Sequence, residues 1–382
     1  MSIIGVTLGD PYSSKTFSGS SAGLFRALRD RDPAFGAVSA QPPTLAQLYY
    51  KVISFRADRT KWVQRYRQRP DLFAYNSAVA KGRLRDFDSK PYDVVLQIAA
   101  FYNLAHLPGR LTISYHDATL ATYLKSAYAR DLRMSDFAEG LAYERRLYAE
   151  VDHLFTMSAW AKRTLIADFA VPQEKITVAG AGVNLRRLAS SDGKSYEEPA
   201  ILFVGKEFTR KGGDGLLRAF ERARRDVPEA TLTIIGPKTI GRIPDGVNFV
   251  GPLDTDTDAG LDRLLHEYGR ATIFAMPSLY EPFGIVFLEA MAHALPCVVS
   301  DQCAMPEIIE HGETGFVQTI GDSSGLARSL TVLLSSSELR ARMGRAARER
   351  YAMHFGWERT ARIIAETTEQ LKVSGTISVG AP

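Results

Sequence analysis

Cysteine is close to absent: Cys297 and Cys303 are the only two in 382 residues, and they stand six positions apart. Near a strand end they read as small packing side chains, not as a disulfide or a metal site. So little cysteine excludes a disulfide-stapled scaffold and points to a reducing compartment, hence the cytoplasm. Long hydrophobic runs are missing as well. No stretch of 18 apolar residues occurs, and nothing reads as a membrane-spanning helix. The opening run Met1-Ser-Ile-Ile-Gly-Val-Thr-Leu-Gly9 has no basic n-region and reads as a first strand, not a signal peptide. Low-complexity tracts are absent, and a composition of 45% hydrophobic and 24% charged residues is that of a globular enzyme. At this length two domains are the expectation.

Acidic residues are thin in the first half. Residues 1–190 hold 26 Lys and Arg against 17 Asp and Glu, whereas the remainder holds 21 against 26. A basic first half suits an anionic partner, either an acidic acceptor or a membrane surface. No feature suggests nucleic acid.

What is present is an alternation of strands and helices in two series, the pattern of two doubly wound α/β domains. In the first, strand Ile3–Leu8 leads through a Gly/Ser-rich loop to a helix over Ala22–Arg29. Strands follow at Val94–Ile98, Leu111–Tyr115, Leu154–Met157 and Ile176–Val178, with Ser158 as a helix N-cap. The polar run Ser190-Ser-Asp-Gly-Lys-Ser-Tyr-Glu-Glu-Pro199 reads as a linker. The second series has strands at Ala200–Val204, Ala230–Ile235, Val247–Val250, Ala271–Met276 and Cys297–Val299. Helices are expected over Asp214–Arg225, from about Ala259, and over Ser337–Leu371. The implied division is a domain over 1–188, a linker over 189–198, a second domain over 199–354 and a flexible tail over 372–382. A closing helix at about 355–371 would join the first domain.

The most informative run is Glu281-Pro-Phe-Gly-Ile-Val-Phe-Leu-Glu289. It sets two carboxylates around a Phe-Gly turn where a buried strand gives way to a helix ending before Pro296. The N–H groups near Gly284, Ile285 and Val286 would be the unpaired donors of a helix N-terminus, a seat for phosphate. Gly284 lets an anion approach without a Cβ in the way. Glu281 and Glu289 suit sugar hydroxyls on either side of that phosphate, and a diphosphate flanked by two sugars describes a nucleotide-sugar. The plainer alternative is a strand–turn–helix whose carboxylates are solvated or capping.

In order along the chain, these features resemble the GT-B fold glycosyltransferases, in particular the large retaining family 4. Phe203-Val-Gly205 with Lys211-Gly212, then Ile234-Ile-Gly236, resembles the opening of that family's donor domain. Met276-Pro-Ser278 followed by Glu281 to Glu289 matches its E-x7-E motif, with Pro306-Glu307-Ile and Gly312-Glu-Thr-Gly315 beyond. His116-Asp117 and Gly182-Val183-Asn184 match in the first half. The resemblance implies two Rossmann-like domains facing a cleft, the first binding an acceptor and the second a nucleotide-sugar. It implies Glu289 on the donor ribose, and Glu281, Phe283 and Gly284 on the transferred sugar. The Ile285 and Val286 N–H groups would meet the diphosphate, Lys211 and Lys206 would neutralise it, and His116 would face the sugar. Lys206 stands where the family usually has Arg, so a point charge replaces a fork. Gly205 would lie near the donor, and the segment Phe17-Ser-Gly19 near the donor phosphates or the acceptor. Such stabilisation needs no metal and no cofactor. Front-face attack and a double displacement through a carboxylate both retain configuration.

Three other segments carry competing readings. Leu253-Asp-Thr-Asp-Thr-Asp258 resembles a D-x-D metal motif but lies where Asp and Thr ordinarily cap a helix. Gly9-Asp-Pro-Tyr-Ser-Ser-Lys15-Thr16 nearly spells a P-loop, with Ser14 in place of the second glycine. Between Leu48 and Arg69, Lys51, Arg56, Arg59, Lys61, Arg65, Arg67 and Arg69 face a single Asp58. There Leu48, Val52, Phe55, Trp62 and Tyr66 recur at near-helical spacing. This segment is either a surface helix with its stripe packed on the domain core, an acceptor-recognition element, or a peripheral contact with anionic membrane. The expected activity is metal-independent, retaining transfer of a hexosyl unit from a nucleoside diphosphate sugar, UDP first and GDP second. The acceptor would be a glycan or a lipid-linked saccharide. A non-catalytic nucleotide-sugar binder and a P-loop NTPase are the alternatives.

Overall fold

A computed structural model describes residues 2–87, 92–191 and 193–373, the side chains of 60 and 61 excepted. Positions 374–382 of the expected tail and Asp192 of the expected linker lie outside the described residues. Two parallel six-stranded sheets with flanking helices form two Rossmann-like domains. The chain divides into one compact unit of Met1–Lys125, Ala129–Gly182 and Trp357–Pro382, and another of Ser126–Tyr128 and Val183–Gly356.

In the first unit the strands are β1 (Ile3–Thr7), β2 (Gly36–Ser39), β3 (Val94–Ile98), β4 (Leu111–His116), β5 (His153–Thr156) and β6 (Ile176–Val178). Every residue of β1, β3 and β4 is buried. Such burial accounts for the apolar runs of β1 and β3, since helices cover both faces of a parallel sheet, while β4 buries Thr112, Ser114 and His116 as well. The sheet order β2-β1-β3-β4-β5-β6 reverses direction between β1 and β3. The helices are α1 (Ser20–Arg31), α2 (Thr44–Ile53), α3 (Arg59–Arg67), α4 (Pro70–Arg85), α5 (Leu120–Leu124), α6 (Ala138–Glu150) and α7 (Ala159–Phe169). Ser158 caps α7 as its sequence predicts, accepting from the Ala161 N–H.

The second unit contains β7 (Ala200–Val204), α8 (Gly213–Ala223), β8 (Thr231–Ile235), β9 (Val247–Gly251), α9 (Asp258–Arg270) and β10 (Ile273–Met276). It continues with α10 (Ile285–Ala292), β11 (Cys297–Ser300), α11 (Met305–Ile308), β12 (Gly315–Gln318), α12 (Ser323–Leu334) and α13 (Ser337–His354). Its order β12-β11-β10-β7-β8-β9 reverses between β7 and β10. At such a switch point the loops leaving the two central strands diverge and open a ligand crevice. The acidic run before α9 is a cap: Thr257 accepts from the Gly260 N–H, and Asp254 accepts from the Asp256 N–H.

Two expectations are corrected. The helix expected over Ser337–Leu371 breaks into α13 and α14 (Trp357–Val373). At the break Phe355 is extended and Gly356 has φ 147, a conformation L side chains rarely adopt. The basic segment is also not one helix packing a stripe on the core. It forms α2 and α3, and Leu48, Val52 and Phe55 remain exposed.

Helix α14 returns to the first unit and packs on α1. Trp357, 6% exposed, is the wedge. Its indole fills the space over Gly23, and its main chain approaches Gly182, where any Cβ would collide. Trp357→Ala removes a buried aromatic lying over Gly23 and Gly182, which have no side chains to take its space. Its expected cost is about 3–5 kcal/mol, read as a lowered denaturation midpoint. An unchanged midpoint would show that α14 does not hold the unit together.

Candidate active site

The site in the second unit begins with the two loops that the strand reversal brings side by side. After β7 the chain curls tightly: the Lys211 N–H donates to the Glu207 carbonyl, and the Gly212 N–H to that of Thr209. Gly212 adopts φ 76 as the N-cap of α8, and a Cβ there would strike the Pro277 carbonyl. Only glycine meets both demands. The Lys211 stem lies directly over Gly205, in the volume a side chain at 205 would take. The Leu279 N–H donates to the Arg210 carbonyl, which joins this loop to the one after β10.

The cations of the first loop meet the carboxylate of the second. Lys211 Nζ lies 2.7 Å from Glu281 Oε2, and Arg210 Nη1 lies 3.3 Å from the same oxygen. Arg210 also donates to the Tyr280 carbonyl at 2.6 Å and to Glu207 at 2.7 Å. Burial pushes the Glu281 carboxyl upward, but Lys211 and Arg210 outweigh it and hold it below the usual range. Glu281 is therefore ionised.

Sequence reasoning assigned Lys206 and Lys211 to the leaving diphosphate and named no cation for Glu281. Lys206 is exposed, and Arg210 takes the second place at Glu281. Arg210 was missed because Thr209-Arg-Lys211 reads as a uniformly polar loop. Its adjacency to Lys211 was the available signal.

Gly284, at φ 85, caps α10, and the Ile285 and Val286 N–H groups form no hydrogen bond among the described residues. They are donors open to an anion at the end of an eight-residue helix. Phe283, expected near the transferred sugar, has its side chain turned inward. The residue is 4% exposed, and its ring packs edge-on to Phe355 at 6.4 Å.

Glu289 sits on the buried face of α10, where the Tyr268 hydroxyl donates to Oε2 at 3.2 Å. Desolvation raises its carboxyl to about 7, against partial relief from Tyr268, the Asn184 main chain and Lys211. Tyr268 stacks on His293 at 4.6 Å and 7°. The His293 Nε2 faces the Ala189 N–H at 3.2 Å and so accepts; Nδ1 therefore donates to the Glu289 carbonyl at 2.7 Å. Neither Tyr268 nor His293 carries a sequence motif.

His116 and Gly19 belong to the first unit. His116, 2% exposed at the carboxyl end of β4, has Nε2 2.6 Å from Ser114 Oγ and its ring edge-on to Tyr148. Burial pulls its imidazole down to about 3, so it is neutral. Gly19 (φ 89) follows Phe17 (φ 47) and Ser18 (φ 55), three successive left-handed residues before α1. For non-glycine residues such strain costs on the order of 1 kcal/mol each and gathers at functional loops. Lys15 precedes α1 by five residues, so the near-P-loop does not place it in the helix's first turn. Glu144, which no motif marks, accepts from the Leu120 N–H with both oxygens, and burial raises it to about 8.

Among the described residues no three His, Cys, Asp or Glu side chains converge as a metal cluster would, and no helix is long and apolar enough to cross a membrane.

Two parallel-sheet domains of this topology, with a cation-clamped glutamate at the second switch point, define a class that comparison with known proteins names. Residues 24–187 match the model of Glycosyltransferase Family 4, and 187–350 that of Glycosyl transferases group 1. The chain belongs to these GT-B glycosyltransferases. It is 34% identical to a glycogen synthase of Mycobacterium tuberculosis, over 59% of this chain and 56% of that protein. It thus spans little more than half the length of that curated relative. Among solved structures it resembles a sucrose-phosphate synthase from Thermosynechococcus elongatus, with a TM-score of 0.75 and 19% identity over 98% of this chain and 99% of the other. It also resembles HepE of Anabaena in complex with UDP-glucose, with a TM-score of 0.63 and 16% identity over 97% and 100% of the two chains.

The raised Glu289 carboxyl carries a stability consequence. Its ordinary value is 4.5, so between about 4.5 and about 7 the folded protein holds a proton that the unfolded chain releases. Stability from this group is full below that window and is lost as pH rises through it. Glu289→Gln has nothing to ionise there. Its melting temperature should gain steadily on wild type from about pH 4.5 to pH 7. A pH-independent difference would overturn the assignment.

Proposed function

We propose that the protein transfers a hexosyl unit, with retention of configuration and without a metal, from a nucleoside diphosphate sugar to a saccharide or lipid-linked saccharide. The observation that carries this reading is the pairing of Lys211 and Arg210 with Glu281 beside the open N–H groups of α10. Departure of a nucleoside diphosphate builds negative charge, and cations already fixed in place stabilise it without reorganisation. Arg210 supplies the fork geometry that Lys206 lacks. Lys206, exposed at the mouth of the same loop, adds a point charge. UDP is placed ahead of GDP as the donor nucleotide, in line with the UDP-glucose complex of the Anabaena relative.

The two glutamates take separate roles. Glu281, ionised, accepts hydrogen bonds from hydroxyls of the transferred sugar. Glu289 accepts from the ribose, and its proton leaves as hydroxyl donors arrive. With Lys211 and Arg210 both bound to its Oε2, Glu281 is a weakened nucleophile. That favours front-face attack by the acceptor over a covalent glycosyl-enzyme. His116, neutral at physiological pH, would serve as a hydrogen-bonding group toward the sugar.

The test is release of nucleoside diphosphate from a panel of nucleotide-sugars, with and without EDTA. The product anomer is read by NMR. Turnover insensitive to EDTA and an unchanged anomeric configuration are expected. Strict metal dependence, or inversion, would overturn the proposal, and tight donor binding without turnover on any acceptor would assign a binding role instead.

Glu281→Gln should lower kcat by on the order of 10²-fold while leaving UDP affinity equal or higher, because it removes a negative charge beside the cations. Glu289→Gln should weaken UDP binding by roughly tenfold with a smaller effect on kcat. Titration calorimetry and steady-state kinetics separate the two, and matching profiles would refute the division of roles.

A further inference from the structure

Helix α2 is built inside out. Leu45, Leu48, Tyr49 and Val52 fall at i, i+3, i+4 and i+7, the spacing of a single helix face. That face points to solvent, with exposures of 81%, 56%, 59% and 63%. Phe55, just beyond the helix, is 62% exposed, and no residue of α2 is buried.

The helix is nevertheless held in place from its other side. The Tyr50 hydroxyl donates to the Asp71 carbonyl, and its ring lies 6.1 Å from Tyr75 of α4. From α3, Trp62 Nε1 donates to the Lys51 carbonyl at 2.8 Å, and its ring meets Phe55 at 5.8 Å. An apolar stripe kept in water by specific contacts on its polar side marks an interaction surface.

We propose that α2 docks this protein on an anionic lipid bilayer. The rim of the stripe decides the partner. Lys51, Arg56, Arg59, Arg65 and Arg67 are all exposed, and Asp58 is the sole acid between 44 and 69. A second copy would set these same cations against each other in a self-complementary contact. An apolar face sinking among acyl chains, with cations at the level of lipid phosphates, satisfies both halves of the pattern.

The docking is independent of the donor-site reading, and its experiment is separate. The full chain is sedimented with vesicles of phosphatidylcholine alone and of phosphatidylcholine mixed with phosphatidylglycerol. Binding to the mixed vesicles, weakened by added salt, is expected, with little on the neutral ones. Leu48→Gln combined with Val52→Gln should lower the partition coefficient by roughly tenfold or more. Arg56→Glu combined with Arg59→Glu should lower it by roughly 10²-fold or more.

Both variants change exposed side chains, so melting temperature and UDP affinity should match wild type. A wild type that ignores both vesicle types, or binds them equally, would overturn the proposal. So would a dimer in solution that Leu48→Gln with Val52→Gln dissolves. Loss of UDP binding in wild type would count against the donor site alone.

Discussion

The carboxylate of Glu281 gives up most of its water at the end of β10, and the loop after β7 must supply the cations that offset this. A carboxylate so desolvated and left alone would bind a proton. Held by Lys211 and Arg210, it stays charged. Much of the local geometry follows from that requirement. The two loops must lie close, which the strand reversal provides; the Lys211 stem must cross Gly205, which admits no side chain; and the turn at Gly212 must press against Pro277. The cations are thereby fixed before any diphosphate arrives. A bound anion would exchange one oxygen partner for another instead of ordering two long side chains from solvent, a large part of the entropic cost of recruiting them.

Glu281 and Glu289 show how environment divides two identical residues. Glu281 precedes α10 and meets two cations; Glu289 lies about one turn into the helix and meets a phenol and a main-chain donor. Neutral hydrogen bonds offset less desolvation than full charges at the same distance. One carboxyl therefore sits below its usual range and the other near neutrality. Their neighbours propagate the difference. Tyr268 is aimed by its stack on His293, and His293 is fixed by the Ala189 N–H and the Glu289 carbonyl. The ring that orients the partner of Glu289 is thus anchored by the chain leading from Asn184 toward the linker.

The inner strands of both sheets and the turn at Gly284 were legible because strands buried among helices are rich in apolar residues, and because Pro277, Gly284 and Pro296 punctuate them. The edge strands β2 and β12, mostly half-buried, carried no such signal and were missed. The caps at Ser158 and Thr257 were legible for the same local reason. What was not legible depended on direction. In the curl from Lys206 to Lys211, closeness to the strand does not say which cation turns inward, and Arg210, not Lys206, reaches Glu281. Tyr268, at the end of α9, lies 21 residues upstream of Glu289 with β10 between them, beyond any local pattern. The stripe of α2 was visible as a periodicity, but a period identifies a face without saying whether core or solvent receives it. The usual answer, burial, is the wrong one here because Tyr50 holds the opposite side and Trp62 the C-terminal end.

The uneven charge of the chain acquires a physical reading from screening. Residues 191–382 carry more acids than bases, although the site they contain faces an anion in the proposed reaction. With a Debye length of about 8 Å at physiological ionic strength, distant surface acids contribute little there, and Arg210, Lys211 and the end of α10 set the local potential. The basic excess of the first half obeys the same rule with the opposite consequence. Much of it stands exposed on α2, α3 and the segment joining them, where it is screened from anything more than a few ångströms away. Charges so placed act only on an anion brought into direct contact. An exposed apolar face among them supplies the force that makes and keeps that contact. Cations alone would bind weakly in salt, and the apolar face alone would be indiscriminate, so their placement on one ledge is what selects a surface both apolar and anionic.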